Sequence, residues 1–367
     1  MKKALVVDWY DKYGGAERVV AILNKEYSFD ETYTMVNVMS ENDLNKIYTL
    51  QNRKIITSSL QIFGKFFRVL FPLFPFFIRK LKVDSDIEVI ISSSHCVAKG
   101  IRKSRKEQVH FSYFQARNFK YIWEEAALYF GVFTPLFTPL FRFLQKQDYK
   151  QAQLPDYIIV NSKFVQQWVK KNYNRDSIVI YPPVNTEKFN LCIDKEDYYV
   201  TVGRLVEYKR FDVIVKAFKD NGKRLVIIGD GSMKKKLETI AIDSQNIEFK
   251  GFLESEDVYK YISRAKGFIH AGVEDFGIAP LEAQACGTPV IAYGQGGVLE
   301  TVIDGVTGVL FEEQTEVSLN KAIQFFERIE FDLNLVRQNA MRFSENNFVK
   351  NIDSYIMEKL SYIVLNK

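Results

Sequence analysis

With 367 residues and 47% hydrophobic content, the chain exceeds what one core usually serves, and two domains of roughly 150–200 residues are expected. Cys96, Cys192 and Cys286 form no CxxC, and His95, His110 and His270 stand far apart, which excludes a disulfide framework and a zinc motif and fits a reduced, cytoplasmic protein. The net charge of +5 is uneven: residues 1–180 carry 27 Lys and Arg against 17 Asp and Glu, and the remainder 23 against 28, so the first half invites an anionic partner, either a nucleic acid or a membrane surface.

The N-terminus has only a short apolar run, ALVV, followed by the acidic, aromatic DWYDKYGGAER. That pattern predicts a buried strand over 3–8 and no signal peptide. Gly14 and Gly15 then stand before an amphipathic helix (Val19, Val20, Ile22, Leu23). Glycines there let backbone approach an anion at the helix N-terminus, or simply make a tight turn, and the residues alone leave both open. The spacing is not GxGxxG, which counts against a nicotinamide dinucleotide.

The stretch 62-IFGKFFRVLFPLFPFFIRKLK-82 is aromatic and basic. Its uncharged centre is about half the ~20 residues of a spanning helix, and Pro72 and Pro75 interrupt it. Two readings stand: core packing, or an interfacial patch with Lys65, Arg68, Arg79, Lys80 and Lys82 on anionic lipid. A second aromatic run, 126–141, contains Pro135 and Pro139.

Short apolar runs at 88–94, 109–113 and 157–162, then at 198–203, 224–229, 247–251, 267–271 and 289–293, alternate with helical patterns. They predict α/β architecture with a doubly wound parallel sheet in each half. The expected organisation is an N-terminal domain over 1–180, a linker over 181–197, a C-terminal domain over 198–345 and a terminal helix over 346–367. Tyr181-Pro182-Pro183 breaks regular structure at the boundary. The last helix has a period of Phe348, Ile352, Ile356, Leu360 and Ile363. Ligands of such sheets bind at the carboxyl ends of the strands.

In the second half, Arg204 and Lys209 follow the strand 198–203, as two cations for a diphosphate or as plain surface charge. The next strand ends in Gly229-Asp230-Gly231, which permits close approach of a ligand or a turn. Strand 267–271 leads into 274-EDFGIAPLEAQACGTPV-290. Pro280 suits a first helical turn, the N–H groups near Gly277, Ile278 and Ala279 would be unpaired by the helix, and Glu282 is expected in that turn, where its charge suits the helix dipole. Glu274 and Glu282 would then flank a bound anion, or be surface carboxylates on a capped helix.

The segment E-DFGI-x-P-L-E-A resembles the E-x7-E signature of retaining glycosyltransferases of family 4. GGAE (14–17), PPVNTEKF (182–189), GR-x4-K (203–209), GDG (229–231), CGTPV (286–290), Gly296-Gly297 and GVTGVLF (305–311) follow in the family's order. The segments 92-SSSHCVAKG-100 and EAQACGTPVIAYGQGGVLETV resemble bacterial mannosyltransferases of O-antigen and capsule assembly.

That resemblance implies the GT-B fold, two Rossmann-like domains facing a cleft, with the terminal helix packing back toward the N-terminal, acceptor-binding domain. It implies that Glu274 contacts donor-sugar hydroxyls, Glu282 the ribose, and Arg204 and Lys209 the diphosphate. Backbone at Gly14, Gly15, Gly203, Gly229, Gly277, Ile278 and Ala279 would approach the donor. Arg204, Lys209 and Glu274 would carry catalysis with retained anomeric configuration and neither metal nor protein nucleophile.

The implied substrates are a nucleotide-diphosphate sugar, GDP-mannose first, and a glycan acceptor, lipid-linked or soluble, in cell-surface polysaccharide assembly. The protein would be cytoplasmic and peripheral on anionic membrane through 62–82. No nucleic-acid motif is present. The family pattern fails at 113-YFQARNFKYIWEE-125, where Gln115 replaces an expected His and no Pro follows. Gln115 and His95 are therefore the acceptor-side candidates, with a buried, satisfied histidine the equal alternative for His95. A sugar-nucleotide epimerase and a non-catalytic donor-binding subunit remain alternatives.

Overall fold

The run Lys3–Val7 (β1) is flanked on both sides by parallel neighbours, and after Lys3 its residues are apolar and buried. This computed structural model describes residues 1–48, 54–124, 126, 131 and 134–365. Glu125, residues 127–130, 132 and 133 of the second aromatic run, and Asn366 and Lys367 of the last predicted helix lie outside them. Among the described residues β1 joins β2 (Glu31–Thr34), β3 (Ile55–Thr57), β4 (Val89–Ser94), β5 (Val109–Phe114), β6 (Tyr157–Val160) and β7 (Ile178–Val179). They form one parallel sheet of order β3-β2-β1-β4-β5-β6-β7.

The two-residue pleat of β1 sends Leu5 and Val7 to one core and Ala4 and Val6 to another. On the first face lie Val19, Val20 and Leu23 of the helix Gly15–Tyr27, together with Phe348, Ile352 and Ile356 of the last helix, Glu345–Leu365. Phe348 meets Tyr113 of β5 edge-on at 5.8 Å. The predicted period of the last helix is thus its buried stripe, and the chain from Phe348 on belongs to the same compact unit as Met1–Pro183. On the second face Leu60, Phe67, Phe74 and Ile78 pack with Phe141 and Leu144.

The second unit, Val184–Asn347, holds β8 (Glu196–Val202), β9 (Leu225–Ile228), β10 (Ile247–Gly251), β11 (Ala265–His270), β12 (Val290–Tyr293) and β13 (Gly308–Phe311). Their order is β10-β9-β8-β11-β12-β13, again parallel. The irregular segment after Pro183 is tied to this unit. Val184 N–H donates to the Phe343 carbonyl (2.8 Å), Cys192 N–H donates to that of Cys286 (3.1 Å), and the Arg337 guanidinium bonds the Phe189 and Ala285 carbonyls.

Each strand order reverses once, between β1 and β4 in the first sheet and between β8 and β11 in the second. Those are the two switch points at which open α/β sheets hold ligands.

The aromatic stretch is part core and part exposed. Ser59–Leu73 is 3-10 in character, interrupted by non-helical Gly64 (φ 49°) and Leu70, and an α-helix follows over Phe74–Lys80. By length and composition Ser59–Lys80 would pass for a membrane span, with mean hydropathy 1.4. The kinks prevent one continuous helix of spanning length. Leu60, Phe67, Phe74 and Ile78 are core, whereas Ile62 (85% exposed), Phe66 (79%) and Val69 (77%) are bare, as are Phe63, Leu73 and Phe76.

Inside the first sheet, His110 of β5 is fully buried. Its Nε2 lies 2.8 Å from Ser92 Oγ, and its Nδ1 has no hydrogen-bond partner among the described residues. Burial, assisted by Lys103, lowers its pKa from 6.5 to about 3. The native state therefore refuses a proton that the unfolded chain accepts. The contribution of His110 to stability is fully present above pH 6.5 and is lost progressively as pH falls toward about 3. Melting temperature measured from pH 7 to pH 4 should fall more steeply for the wild type than for His110→Gln. Parallel curves would contradict this assignment.

Candidate functional site

β11 ends at His270, and the chain crosses Ala271–Gly277 before the helix Ile278–Ala285. Gly277 is the residue before the helix, at φ 90°, and among the described residues no side chain caps it. Gly277 has no side chain of its own with which to cap the N–H groups that the helix leaves over in its first turn. Pro280 falls in the first turn as expected. Glu282 does not: the helix starts at Ile278, so Glu282 is its fifth residue and lies in the second turn, half-buried.

The loop carrying Glu274 is fixed from behind. Glu274 bridges in parallel to Gly296, and Gly297 N–H donates to the Glu274 carbonyl at 2.8 Å. A Cβ on Gly297 would stand 2.3 Å from the Phe276 Cα, so only glycine lets the two loops meet this closely.

Across the switch point, β8 ends at Val202 and Gly203-Arg204 leads into the turn Glu207–Lys209. Lys209 Nζ stands 2.6 Å from Glu274 Oε1, and the two side chains are 16% and 19% exposed. Gly203 leaves the space this side chain fills, since a Cβ there would lie 2.9 Å from Lys209 Nζ. Gly229, at the end of β9, sits so near Gly203 that its Cβ would approach the Gly203 carbonyl oxygen to 1.9 Å. Gly229 is thereby explained by contact between the two loops.

Arg204 is exposed, with the Tyr208 hydroxyl 3.4 Å from Nη2. The turn is locked by Arg210, which binds Asp212 (3.0 Å) and Gln314 Oε1 (2.7 Å). Gln314 in turn donates to the Ala271 carbonyl (2.7 Å). Ion pair, exposed guanidinium and uncapped helix start are therefore held on one rigid rim.

His270 is a site residue that the sequence gave no reason to choose. It is buried, its Nε2 has no hydrogen-bond partner among the described residues, and burial lowers its pKa, opposed by nearby Glu274 and assisted by Lys209. A neutral imidazole at the base of this pair matches the low polarity that strengthens the pair.

In the first unit the structure brings Gly14, Gly15 and His95 to the carboxyl ends of β1 and β4. Gly14 precedes the helix Gly15–Tyr27. Glu17, in that helix's first turn, is half-buried beside Gly14, and burial raises its pKa. Gln115, just past β5, is part of the framework: its side chain donates to Ser93 Oγ (3.0 Å), and its carbonyl accepts from Asn161 Nδ2 (2.7 Å). Asp8 and Trp9 join His95 there, and the only trace of Asp8 in the sequence is a charged residue closing an apolar run.

Comparison with known proteins follows the same lines. The family of glycosyl transferases group 1 matches residues 184–347. The O-antigen chain mannosyltransferase RfbU of Salmonella typhimurium is 24% identical over 228 residues, 59% of this chain and 63% of that one. The GDP-mannose-dependent monoacylated alpha-(1-6)-phosphatidylinositol monomannoside mannosyltransferase of Corynebacterium glutamicum is 38% identical over 123 residues, 30% of this chain and 32% of that one. The chain spans about half the length of the curated relatives it matches. Among solved structures, HepE of Anabaena in complex with UDP aligns over 98% of this chain and 100% of its own, with a TM-score of 0.70 at 16% identity, a likeness of fold. Two parallel Rossmann-like sheets, the order of their strands and the likeness to HepE over nearly the whole chain lead to one identification: the chain has the GT-B fold, and its residues 184–347 match the family of glycosyl transferases group 1.

Proposed function

We propose that the protein is a retaining glycosyltransferase that moves a sugar, mannose from GDP-mannose by first choice, onto a hydroxyl of a lipid-linked glycan in cell-surface polysaccharide assembly. The carrying observation is the Lys209–Glu274 pair across the β8/β11 switch point, beside the uncapped start of the helix Ile278–Ala285. An ammonium has three N–H donors. Lys209 spends one on Glu274, and among the described residues it makes no other hydrogen bond, so two remain for a phosphate. Arg204 supplies a second cation, Glu274 meets the sugar hydroxyls, and Glu282 meets the ribose.

The acceptor attacks on the face that the nucleotide leaves, and the departing diphosphate takes the proton. The protein contributes position and charge stabilisation, with no metal and no covalent intermediate. Mannose and GDP are supported by the names of the two relatives, and the UDP bound to HepE favours a UDP-sugar as the second reading.

A purified sample incubated with a panel of nucleotide sugars and a membrane glycolipid extract, read by mass spectrometry, should yield a glycolipid one sugar heavier with retained configuration. Epimerised donor or free nucleotide formed without acceptor would replace this reading with an epimerase or hydrolase. Binding without turnover would leave a donor-binding subunit. Turnover should survive excess EDTA, and a strict requirement for Mg²⁺ or Mn²⁺ would contradict the charge assignment.

Among variants, Arg204→Ala and Lys209→Ala should lower kcat by roughly 10²–10³-fold. Lys209→Ala should be the worse, because it leaves Glu274 uncompensated next to the diphosphate. Glu282→Ala should mainly raise the donor KM. Glu274→Ala should cut turnover while calorimetry with free nucleoside diphosphate stays near wild type. Loss of nucleotide binding in Glu274→Ala but not in Glu282→Ala would reverse the orientation of the donor.

The same proposal seats the stretch 62–82 on a membrane. Its bare face, Ile62, Phe63, Phe66, Val69, Leu73 and Phe76, is accompanied by exposed Lys65, Arg79, Lys80 and Lys82, each worth about 1 kcal/mol near anionic lipid. Binding to anionic vesicles should be salt-sensitive and absent on neutral ones. Phe66→Ser should weaken it without lowering the melting temperature, whereas Phe67→Ser, in the core, should unfold the protein. Equal binding to both vesicle types, or to neither, would contradict the electrostatic part.

A further inference from the structure

The first sheet has its own crevice at its own switch point, and it is built around a histidine. Asp8 follows β1 and is fully buried. Its carboxylate accepts four backbone N–H groups from the turn after β4: His95 (2.7 Å) and Cys96 (3.0 Å) on Oδ2, Val97 (2.6 Å) and Ala98 (2.7 Å) on Oδ1. His95 Nδ1 stands 3.1 Å from Asp8 Oδ2. A carboxylate oxygen accepts, so Nδ1 is the donor at this contact, which puts the proton of a neutral imidazole on Nδ1 and the free lone pair on Nε2.

That ring is aimed and not loose. Trp9 packs on it edge-to-face, with centroids 4.6 Å apart, and Phe67 and Phe74 hold the other side of Trp9 at 5.5 and 5.7 Å. The His95 side chain is nevertheless 32% exposed, and among the described residues Nε2 has no hydrogen-bond partner. A histidine kept for packing would bury Nε2 or pair it, as His110 does with Ser92.

From this geometry we infer that His95 is the acceptor-side contact: Nε2 accepts a hydrogen bond from an acceptor hydroxyl next to the attacking one, which fixes the acceptor sugar and leaves the attacking hydroxyl's own proton for the departing diphosphate, while Asp8 is a positioning residue acting through Nδ1. The inference rests on the glycosyltransferase reading above. It gives His95 no part in donor binding. It also links the site to the membrane patch, because Phe67 and Phe74, which hold Trp9, belong to the stretch whose opposite side chains are bare. A lipid-anchored acceptor seated there would present its hydroxyl one aromatic layer from His95.

The test uses the full-length protein, the glycolipid fraction that the wild type glycosylates, and His95→Ala and His95→Gln, with melting temperatures confirming that both fold. His95→Ala should lower kcat/KM for the acceptor by roughly 10- to 100-fold, the loss of one well-placed hydrogen bond. His95→Gln, which keeps an acceptor oxygen, should recover part of it. Nucleoside diphosphate affinity and slow hydrolysis of the donor by water should stay at wild-type levels in both. In the wild type, imidazole NMR should show the Nδ1–H tautomer, and addition of the glycolipid should shift the Nε2 signal. Wild-type acceptor kinetics in His95→Ala, an Nε2–H tautomer, or an equal loss of nucleotide affinity would overturn the role of His95 while leaving the glycosyltransferase reading intact. Absence of any transfer by the wild type would overturn both. If His95→Ala does not fold, the NMR outcome alone decides.

Discussion

The ion pair between Lys209 and Glu274 is the constraint around which the second unit is arranged. Two partly buried charges are costly to hold unless each compensates the other, and removing one leaves its partner stranded. The surrounding sequence serves that geometry. Gly203 makes room for the lysine stem, Gly296 and Gly297 let the β12 loop grip the Glu274 backbone, and Arg210, Asp212 and Gln314 brace the turn that carries Lys209. Several of the short motifs that recur through the second half are therefore one device seen in pieces.

The two sheets repeat a design. Each reverses its strand order once, and at each reversal a carboxylate faces a nitrogen base or cation: Asp8 with His95 after β1 and β4, Glu274 with Lys209 after β11 and β8. The chemistry differs in a useful way. Lys209 brings an ammonium with spare donors, suited to phosphate. His95 brings a directed lone pair, suited to a hydroxyl. Buried parallel strands require apolar side chains on both faces, so polar groups gather at the strand ends, where loops vary without disturbing either core.

Much of this was legible in the sequence. Nine strands were marked by continuous apolar runs, and the last helix by its period, because burial on both faces or on one stripe leaves a pattern. β2 escaped notice because its residues are Glu31-Thr32-Tyr33-Thr34. It is buried all the same, with Tyr33 bonded to Glu31 and Lys54 paired to that carboxylate. β3 and β7, three and two residues long, are too short to carry a period. The residues around the Glu274 turn are candidates through their place at strand ends and through the family resemblance of the motif E-DFGI-x-P-L-E-A. Asp8, Trp9 and His270 were not, since what selects them is a hydrogen-bond or packing partner more than 80 positions away, or a buried nitrogen without one. Glu282 was placed one turn too early because Pro280 marks a first turn without fixing which of its residues it occupies.

The most direct measurement is a crystal structure of the protein with a non-hydrolysable nucleotide-diphosphate sugar bound. If the ion pair organises donor binding, the diphosphate will lie within hydrogen-bond distance, about 3 Å, of Lys209 Nζ and of the Arg204 guanidinium, at the start of the helix Ile278–Ala285, with the sugar against Glu274. A nucleotide bound elsewhere, with the Lys209–Glu274 pair undisturbed and remote from it, would contradict the assignment.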